Sequence, residues 1–291
     1  MNIDYAQLAA LSAILRNGSF EGAASELGIT QSAVSQRLKA LEDRAGTPLV
    51  KRGQPCEGTE TGRRLAAHLD QVGMLENALA RDLDALTPRS ARLRIAVTAD
   101  SLATWVLPAI ARVPDLLFDL VVDDQDFSAD WLRRGEVVAA VTSHEAPVAG
   151  CDSLPLGDMD YVASASPAFV ARHFPDGVTA AAISKAPMLV FDPKDRLQQI
   201  WMGKYLGAAP TPPSHRLPSS SGFVDACLLG LGWGMNPAPL VAPHLANGTL
   251  VPLLPNAPLA TPLFWQSTRL LRPALEPLTQ AIKQTARAAL S

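Results

Sequence analysis

Apolar residues recur at intervals of three and four through the first 86 positions. They then give way to short apolar runs that alternate with helical stretches. Leu8, Leu11, Ile14 and Leu15 share one side of a helix over residues 4–16, which Asn17-Gly18 ends. Ala23, Ala24 and Leu27 form the inner face of a second helix, Gly28 breaks it and Ile29 plugs the corner. Thr30 is placed to cap a third helix, because its hydroxyl can accept from the free N–H groups of the next turn. Val34, Leu38 and Leu41 give that helix a buried side, and Gln31, Ser32, Ser35, Gln36 and Arg37 form its polar side. Gly46 ends it. Thr47 to Thr59 then reads as a wing, with Leu49-Val50-Lys51-Arg52 as first strand and Gly53-Gln54-Pro55 as turn.

Two helices joined by a tight turn, with a polar second helix, predict a helix-turn-helix. Its second helix enters the major groove with N-terminal residues on the bases. Hydroxyl and amide side chains suit base edges, and Arg37, Lys51 and Arg52 suit phosphates. The plainer alternative is a helical hairpin with a solvated face. From Thr61 to Leu86 a long helix carries Leu65, Leu69, Val72, Leu75, Leu79, Leu83 and Leu86 on one stripe. A stripe that narrow favours a coiled-coil partner over packing within one domain. Two heads on one dimer add their affinities and set half-site spacing. Thr87-Pro88-Arg89-Ser90 reads as a hinge.

Beyond it the rhythm is strand–helix alternation, which implies a parallel sheet. Leu93 to Val97 is a strand, Asp100 to Ala111 a helix, Leu116 to Val122 a strand, Phe127 to Arg134 a helix and Val137 to Val141 a strand. The alternation restarts between about 164 and 266: a strand at Met188 to Phe191, a helix near 195–203, a helix at Ser221 to Leu231, and a short strand from Gly234-Met235. Leu263 to Gln266 leads back to the first unit, and 273–289 is a last helix. Ligands of such sheets bind beyond the carboxyl ends of the strands.

Composition refines this picture. With 291 residues, 48% hydrophobic and 18% charged, the chain has room for about two domains. A net charge of −3 argues against a protein that coats nucleic acid. Residues 1–65 hold eight Lys/Arg against seven Asp/Glu, so phosphate contact rests on a few placed cations. Cys56, Cys151 and Cys227 form no disulfide framework and no C-x-x-C, which suits a reducing cytoplasm and disfavours zinc. Residues 1–16 read as an amphipathic helix, not a signal peptide, and no apolar run is long enough to span a membrane. No metal site and no cofactor are expected.

The N-terminal region resembles the DNA-binding domain of the LysR-type transcriptional regulators. The resemblance rests on Ala23-Ala24, Leu27, Gln31-Ser32-Ala33-Val34-Ser35, Leu38, Leu41-Glu42, Gly46, Pro48-Leu49 and Arg52, with Thr59, Thr61 and Gly62 following at the family's spacing. It adds Thr59 and Thr61 to the DNA-binding set of Thr30, Gln31, Ser32, Ser35, Gln36, Arg37, Lys51 and Arg52. It implies an α/β protein with a winged helix-turn-helix over 1–60, a linker and dimerisation helix with hinge over 61–90, and a two-lobed effector domain over 91–291. That domain resembles periplasmic binding proteins, with lobe I over about 91–163 and 267–291 and lobe II over about 164–266. It also implies double-stranded DNA and RNA polymerase as partners, and dimers paired into a homotetramer.

Further matches resemble the lysine- and arginine-responsive, ArgP-like branch of the family. They are Asp100-Ser101-Leu102-Ala103-Thr104-Trp105, Leu132 to Val138, Phe174-Pro175-x-Gly177-Val178-Thr179, Lys185-Ala186-Pro187 before Phe191-Asp192, and Ser220-x-x-Phe223-Val224. They imply L-lysine or L-arginine as effector. Such a ligand needs donors for its carboxylate, acceptors for its α-ammonium and an anion for its distal cation. Ser101 and Thr104 stand at a predicted helix N-terminus, which favours a carboxylate. Asp100, Asp124 and Asp192 are the expected acids, Asp124 and Asp192 on the resemblance, whereas Asp123 reads as a solvated loop acid. Ser143 and His144 follow the third strand, Ser220 and Ser221 cap a helix across the cleft, and Trp105 and Phe191 are expected to wall the aliphatic stem; Trp233 reads as core.

Other classes fit less well. There is no Walker A loop, G-x-S-x-G elbow or H-E-x-x-H, so no enzyme motif emerges. A secreted solute-binding protein would share the lobes but not the helix-turn-helix. A LysR-type regulator with another effector, or one sensing oxidants through a thiol, is the alternative, although Cys227 falls on an apolar helix face.

Overall fold

The computed structural model describes residues 4–82, 91–123 and 128–291. Helices α1 (Tyr5–Asn17), α2 (Phe20–Leu27) and α3 (Gln31–Ala45) pack around Leu8, Leu11, Ile14, Val34, Leu38, Leu41 and Leu49, all almost fully buried. Each buried leucine is worth about 1.5–3 kcal/mol. The caps are local. Asp4 accepts from the Ala6 N–H (2.8 Å), Ser19 from Gly22 (3.0 Å) and Thr30 from Ala33 (3.2 Å). Gly28 closes α2 at φ 64°, a left-handed conformation that lets the chain turn sharply into Thr30. Strands β1 (Val50–Lys51) and β2 (Glu57–Gly58) pair antiparallel as the wing. Glu42 Oε1 accepts from the Leu49 N–H at 2.8 Å and so fastens the wing to α3.

Helix α4 (Glu60–Asp82) divides its apolar residues among three surroundings. Leu65 and Leu69 pack on the N-terminal core, and Met74 and Ala78 enter the core of the following domain. Leu75 and Leu79 remain 40% and 55% exposed. The predicted seam is therefore partly spent within the chain. Leu83, Leu86 and the hinge at 87–90 lie outside the described residues. On the side facing the following domain, Arg63 Nε reaches the buried Glu136 at 2.9 Å, and Arg134 Nε reaches the same carboxylate at 3.1 Å.

Asp70 faces that domain too. Burial pushes its carboxyl up to about 6, against the pull of Arg16, Arg92 and Arg94 and with a further push from Asp119. A carboxyl raised in the folded state favours folding at low pH and loses that contribution as pH rises through the folded value. Asp70→Asn should therefore raise Tm above pH 6 and change it little near pH 4. Thermal scans of both proteins over that range check this, and parallel curves would contradict it.

The remainder follows as β3 (Ala91–Val97), α5 (Ala99–Ser101), a π-helical turn (Leu102–Val106), α6 (Leu107–Ile110), β4 (Leu116–Val122), α7 (Ser128–Arg133), β5 (Ala139–Thr142) and β6 (Cys151–Ala165). The second lobe holds α8 (Pro167–His173), α9 (Ala180–Ile183), β7 (Met188–Val190), α10 (Leu197–Leu206), β8 (Ser214–Arg216), α11 (Ser220–Leu228), β9 (Gly234–Pro237), α12 (Ala238–Ala246) and β10 (Val251–Pro252). β11 (Leu259–Thr268) returns to the first lobe, and α13 (Arg272–Ala289) closes it. The main sheet runs β10-β6-β11-β5-β3-β4, with β9 beside β6. β3, β4 and β5 are parallel, and the long β6 and β11 cross between lobes antiparallel to each other. The single helix predicted from Asp100 to Ala111 contains the π turn instead. Pro108 has no N–H to offer the carbonyl of Thr104, so the regular ladder cannot run through.

Candidate functional site

A cleft opens between the lobes at the carboxyl ends of β3 and β4, as doubly wound sheets require. The space there is about 560 Å³ when its open mouth is counted. Asp100, Asp123 and Asp195 all line it, with Phe191, Leu197, Phe223, Met235 and Pro237 as apolar walls. Thr98, at the end of β3, caps α5 by accepting from the Ser101 N–H at 3.0 Å and so sets Asp100 into the cleft.

The three acids are held differently. Asp100 accepts from the Ser220 hydroxyl (2.6 Å) in lobe II and from the Tyr161 hydroxyl (2.7 Å) on β6. Burial pushes its carboxyl up, those two hydrogen bonds oppose the shift, and Asp195 adds to it. Asp123 accepts from the Trp131 indole at 2.9 Å and from Lys194 Nζ at 3.2 Å. Asp195 accepts from the Phe191 N–H (2.8 Å), the Leu197 N–H (3.1 Å) and Gln198 (3.0 Å), which ties the end of β7 to α10. The cleft is thus acid-rich, which favours a cation and disfavours a dicarboxylate.

Several expected cleft residues stand elsewhere. Asp192 accepts from the backbone N–H groups of Lys194 (2.6 Å) and Asp195 (3.0 Å), so it shapes the turn, and Asp195 lines the cleft in its stead. Trp105 is buried in the core of lobe I, and Trp233 packs on Trp201 at 5.7 Å in the core. Thr104 donates its hydroxyl to the Asp100 carbonyl at 2.7 Å, and Ser101 is fully buried behind Asp100. Ser143 and His144 sit on the loop after β5, where the His144 carbonyl accepts from Gln266 at 2.8 Å; neither lines the cleft. Ser221 points outward, and Ser220 faces Asp100. Asp124 lies outside the described residues. Asp123, read from sequence as a solvated acid, is a cleft residue, and Tyr161, Asp195, Met235 and Pro237 join it without a sequence signal, while Phe223 comes from the segment that begins with Ser220.

On the N-terminal domain, Gln31, Ser32 and Gln36 are exposed along the outer side of α3, with Ser35 and Arg37 partly so. Thr30 is occupied as the cap and also lies 3.0 Å from the Ser32 hydroxyl. Lys51 is exposed on the wing, whereas the Arg52 guanidinium stacks over the Phe20 ring at 5.5 Å. Thr59 donates to the Pro48 carbonyl (3.0 Å) and accepts from the Gly62 N–H (3.1 Å), so it joins the wing to α4; Thr61 is exposed in the next turn.

All three cysteines are free and buried. Burial pushes the Cys227 thiol up to about 11, which makes it a poor thiolate, and raises Cys151 as well. Among the described residues, no group of three or more His, Cys, Asp and Glu is placed to hold a metal ion. No described helix is long and apolar enough to cross a membrane.

Comparison with known proteins follows the same division. Residues 5–63 match the family of bacterial regulatory helix-turn-helix proteins of the lysR type, and residues 87–287 match the LysR substrate binding domain. The HTH-type transcriptional regulator ArgP of Pseudomonas fluorescens is 46% identical over 275 residues, 91% of each chain. The crystal structure of ArgP from Mycobacterium tuberculosis superimposes with a TM-score of 0.81 at 42% identity over 99% of both chains. Full-length LysG from Corynebacterium glutamicum with bound effector Arg gives 0.68 at 36% identity, again over 99% of both. A winged helix-turn-helix, a linker helix and a two-lobed sheet, matched along their whole length by regulators built the same way, show that this chain belongs to the LysR family of DNA-binding transcriptional regulators.

Proposed function

We propose that this LysR-family regulator senses a basic amino acid, L-lysine or L-arginine, in the cleft between its lobes. The observation that carries the reading is the convergence of Asp100, Asp123 and Asp195 on one cavity with an apolar lining. Asp195 adds to the upward push that burial exerts on the Asp100 carboxyl, and a ligand carrying cationic groups relieves it. Apolar walls suit the aliphatic stem of either amino acid. The names ArgP and LysG, and the effector Arg bound to the Corynebacterium protein, support the same class of effector.

In this reading residues 1–60 bind double-stranded DNA through Thr30, Gln31, Ser32, Ser35, Gln36, Arg37, Lys51, Arg52 and Thr59, with Thr61 in the first turn of the next helix. Residues 61–90 join two chains, and 91–291 hold the effector. The exposed Leu75 and Leu79 support a dimer through α4, and family likeness supports a tetramer. The protein acts in the cytoplasm on promoter DNA, through RNA polymerase rather than through chemistry of its own, and controls amino-acid export or metabolism. The effector shifts the regulator between two states only by binding them unequally.

Calorimetric titration with L-lysine, L-arginine and L-norleucine tests the effector class. Either basic amino acid should bind at least about tenfold more tightly than norleucine, which has a stem but no distal charge. Equal binding of all three, or binding of none, would remove the basic amino acid as effector.

A further inference from the structure

The loop after β7 carries a cation of its own into the acid cluster. Lys194 Nζ lies 3.2 Å from Asp123 Oδ1, and this ion pair crosses the cleft from lobe II to lobe I. Both partners are set in place. The loop is folded by Asp192, which accepts from the Lys194 and Asp195 N–H groups, and by Asp195, which accepts from Phe191. Asp123 is oriented by the Trp131 indole at 2.9 Å. Lys194 is 43% and Asp123 23% exposed, so the pair stands at the mouth and within reach of solvent.

We propose that Lys194 is a tethered competitor of the effector. This rests on the reading of the cleft as a basic amino-acid site. An ammonium on a four-carbon stem is the side chain of free lysine, and Lys194 presents that group to a carboxylate that the ligand's distal cation also needs. The cleft without ligand is therefore partly self-occupied. Its apparent affinity is lowered by the fraction of molecules in which the pair is closed. The handicap falls on ligands that need the Asp123 charge, so Lys194 sets both the working concentration range of the sensor and its margin between charged and uncharged amino acids. Binding swaps one cross-cleft ion pair for another, which frees the loop of lobe II from lobe I.

Calorimetry on the full-length protein and its Lys194→Met and Lys194→Arg variants, titrated with L-arginine, L-lysine and L-norleucine, tests this. Lys194→Met should bind both basic amino acids about fivefold more tightly, the scale of a partly exposed ion pair. Its affinity for norleucine should stay as in the parent protein. Lys194→Arg keeps the positive charge and should behave as the parent does. An unchanged affinity of Lys194→Met for the basic amino acids would overturn competition while leaving the effector reading intact. A weakened affinity would also overturn it, because Lys194 would then hold the ligand carboxylate. If neither the parent nor Lys194→Met binds a basic amino acid, the effector reading and the competition fall together.

Discussion

Asp100→Asn should weaken L-arginine and L-lysine binding by at least about thirtyfold while leaving the chain folded. The figure is the lower end of the 2–5 kcal/mol lost when one partner of a buried charge pair is removed. The substitution is close to isosteric. An amide can still accept from one of the two hydroxyls that now donate to Asp100, Ser220 at 2.6 Å and Tyr161 at 2.7 Å, and can donate to the other. What it cannot supply is the negative charge. Because burial raises the Asp100 carboxyl, its ionisation opposes folding as pH rises through the raised value, and a cationic ligand offsets that opposition. Ligand affinity in the parent protein should accordingly fall as pH drops, at a higher pH than an ordinary Asp would dictate. The Asn variant should lose that dependence. Calorimetry at several pH values, with thermal unfolding as the control for folding, reads both effects. Equal affinity in parent and variant would take Asp100 out of the binding set.

Gly62→Ala should be the most damaging small substitution in the N-terminal half. A Cβ at Gly62 would lie 2.0 Å from the Leu49 carbonyl oxygen and 2.9 Å from its carbon. Both are backbone atoms, and Leu49 is fully buried. The same carbonyl accepts from the Thr59 N–H at 3.0 Å, so it cannot retreat without opening the joint between wing and α4. Overpacking of this kind costs about 3 kcal/mol, which lowers Tm by more than about 10 °C for a domain of this size. Gly73 provides the control within the same helix. Nothing lies within 4 Å of a Cβ there, so Gly73→Ala should stabilise by about 0.5–1 kcal/mol. Differential scanning calorimetry of the two variants should move in opposite directions. Loss of stability in both would place the cause in the helix and not in the contact with Leu49.

The helix-turn-helix was legible because its signals are local. A threonine cap, a glycine break and a stripe of Val34, Leu38 and Leu41 each act within a turn or two of where they stand. The parallel strands of lobe I were legible for a similar reason, as short apolar runs, with β5 buried throughout and β3 buried at Leu93, Ile95, Ala96 and Val97. β6 was not. Its sequence from Cys151 to Ala165 holds Pro155, Gly157 and acids at 152, 158 and 160, which locally resemble turns. It is a strand because β11 pairs along its length and β9 and β10 along its far end, and that is tertiary information. Tyr161 was hidden with it.

The cleft shows the same limit at finer grain. Sequence places acids after strands but cannot say which of Asp192 and Asp195 faces inward. The choice is made by which backbone N–H groups each carboxylate satisfies. Asp100 and Trp105 lie in one resemblance segment, yet one enters the cleft and the other the core, because the helical path carries residues five apart to different sides.

β3 and β4 each carry chemistry at both ends. Their carboxyl ends deliver Asp100 and Asp123 to the cleft, while Arg92, Arg94 and Asp119 along them stand near Asp70 of α4. Seven paired residues at about 3.3 Å each make a rod about 20 Å long, nearly inextensible along its axis. A slide of the cleft rim along that axis would arrive almost undiminished at α4, so on the proposed reading a ligand pulling on Asp100 and Asp123 would do work at the helix that carries the N-terminal domain.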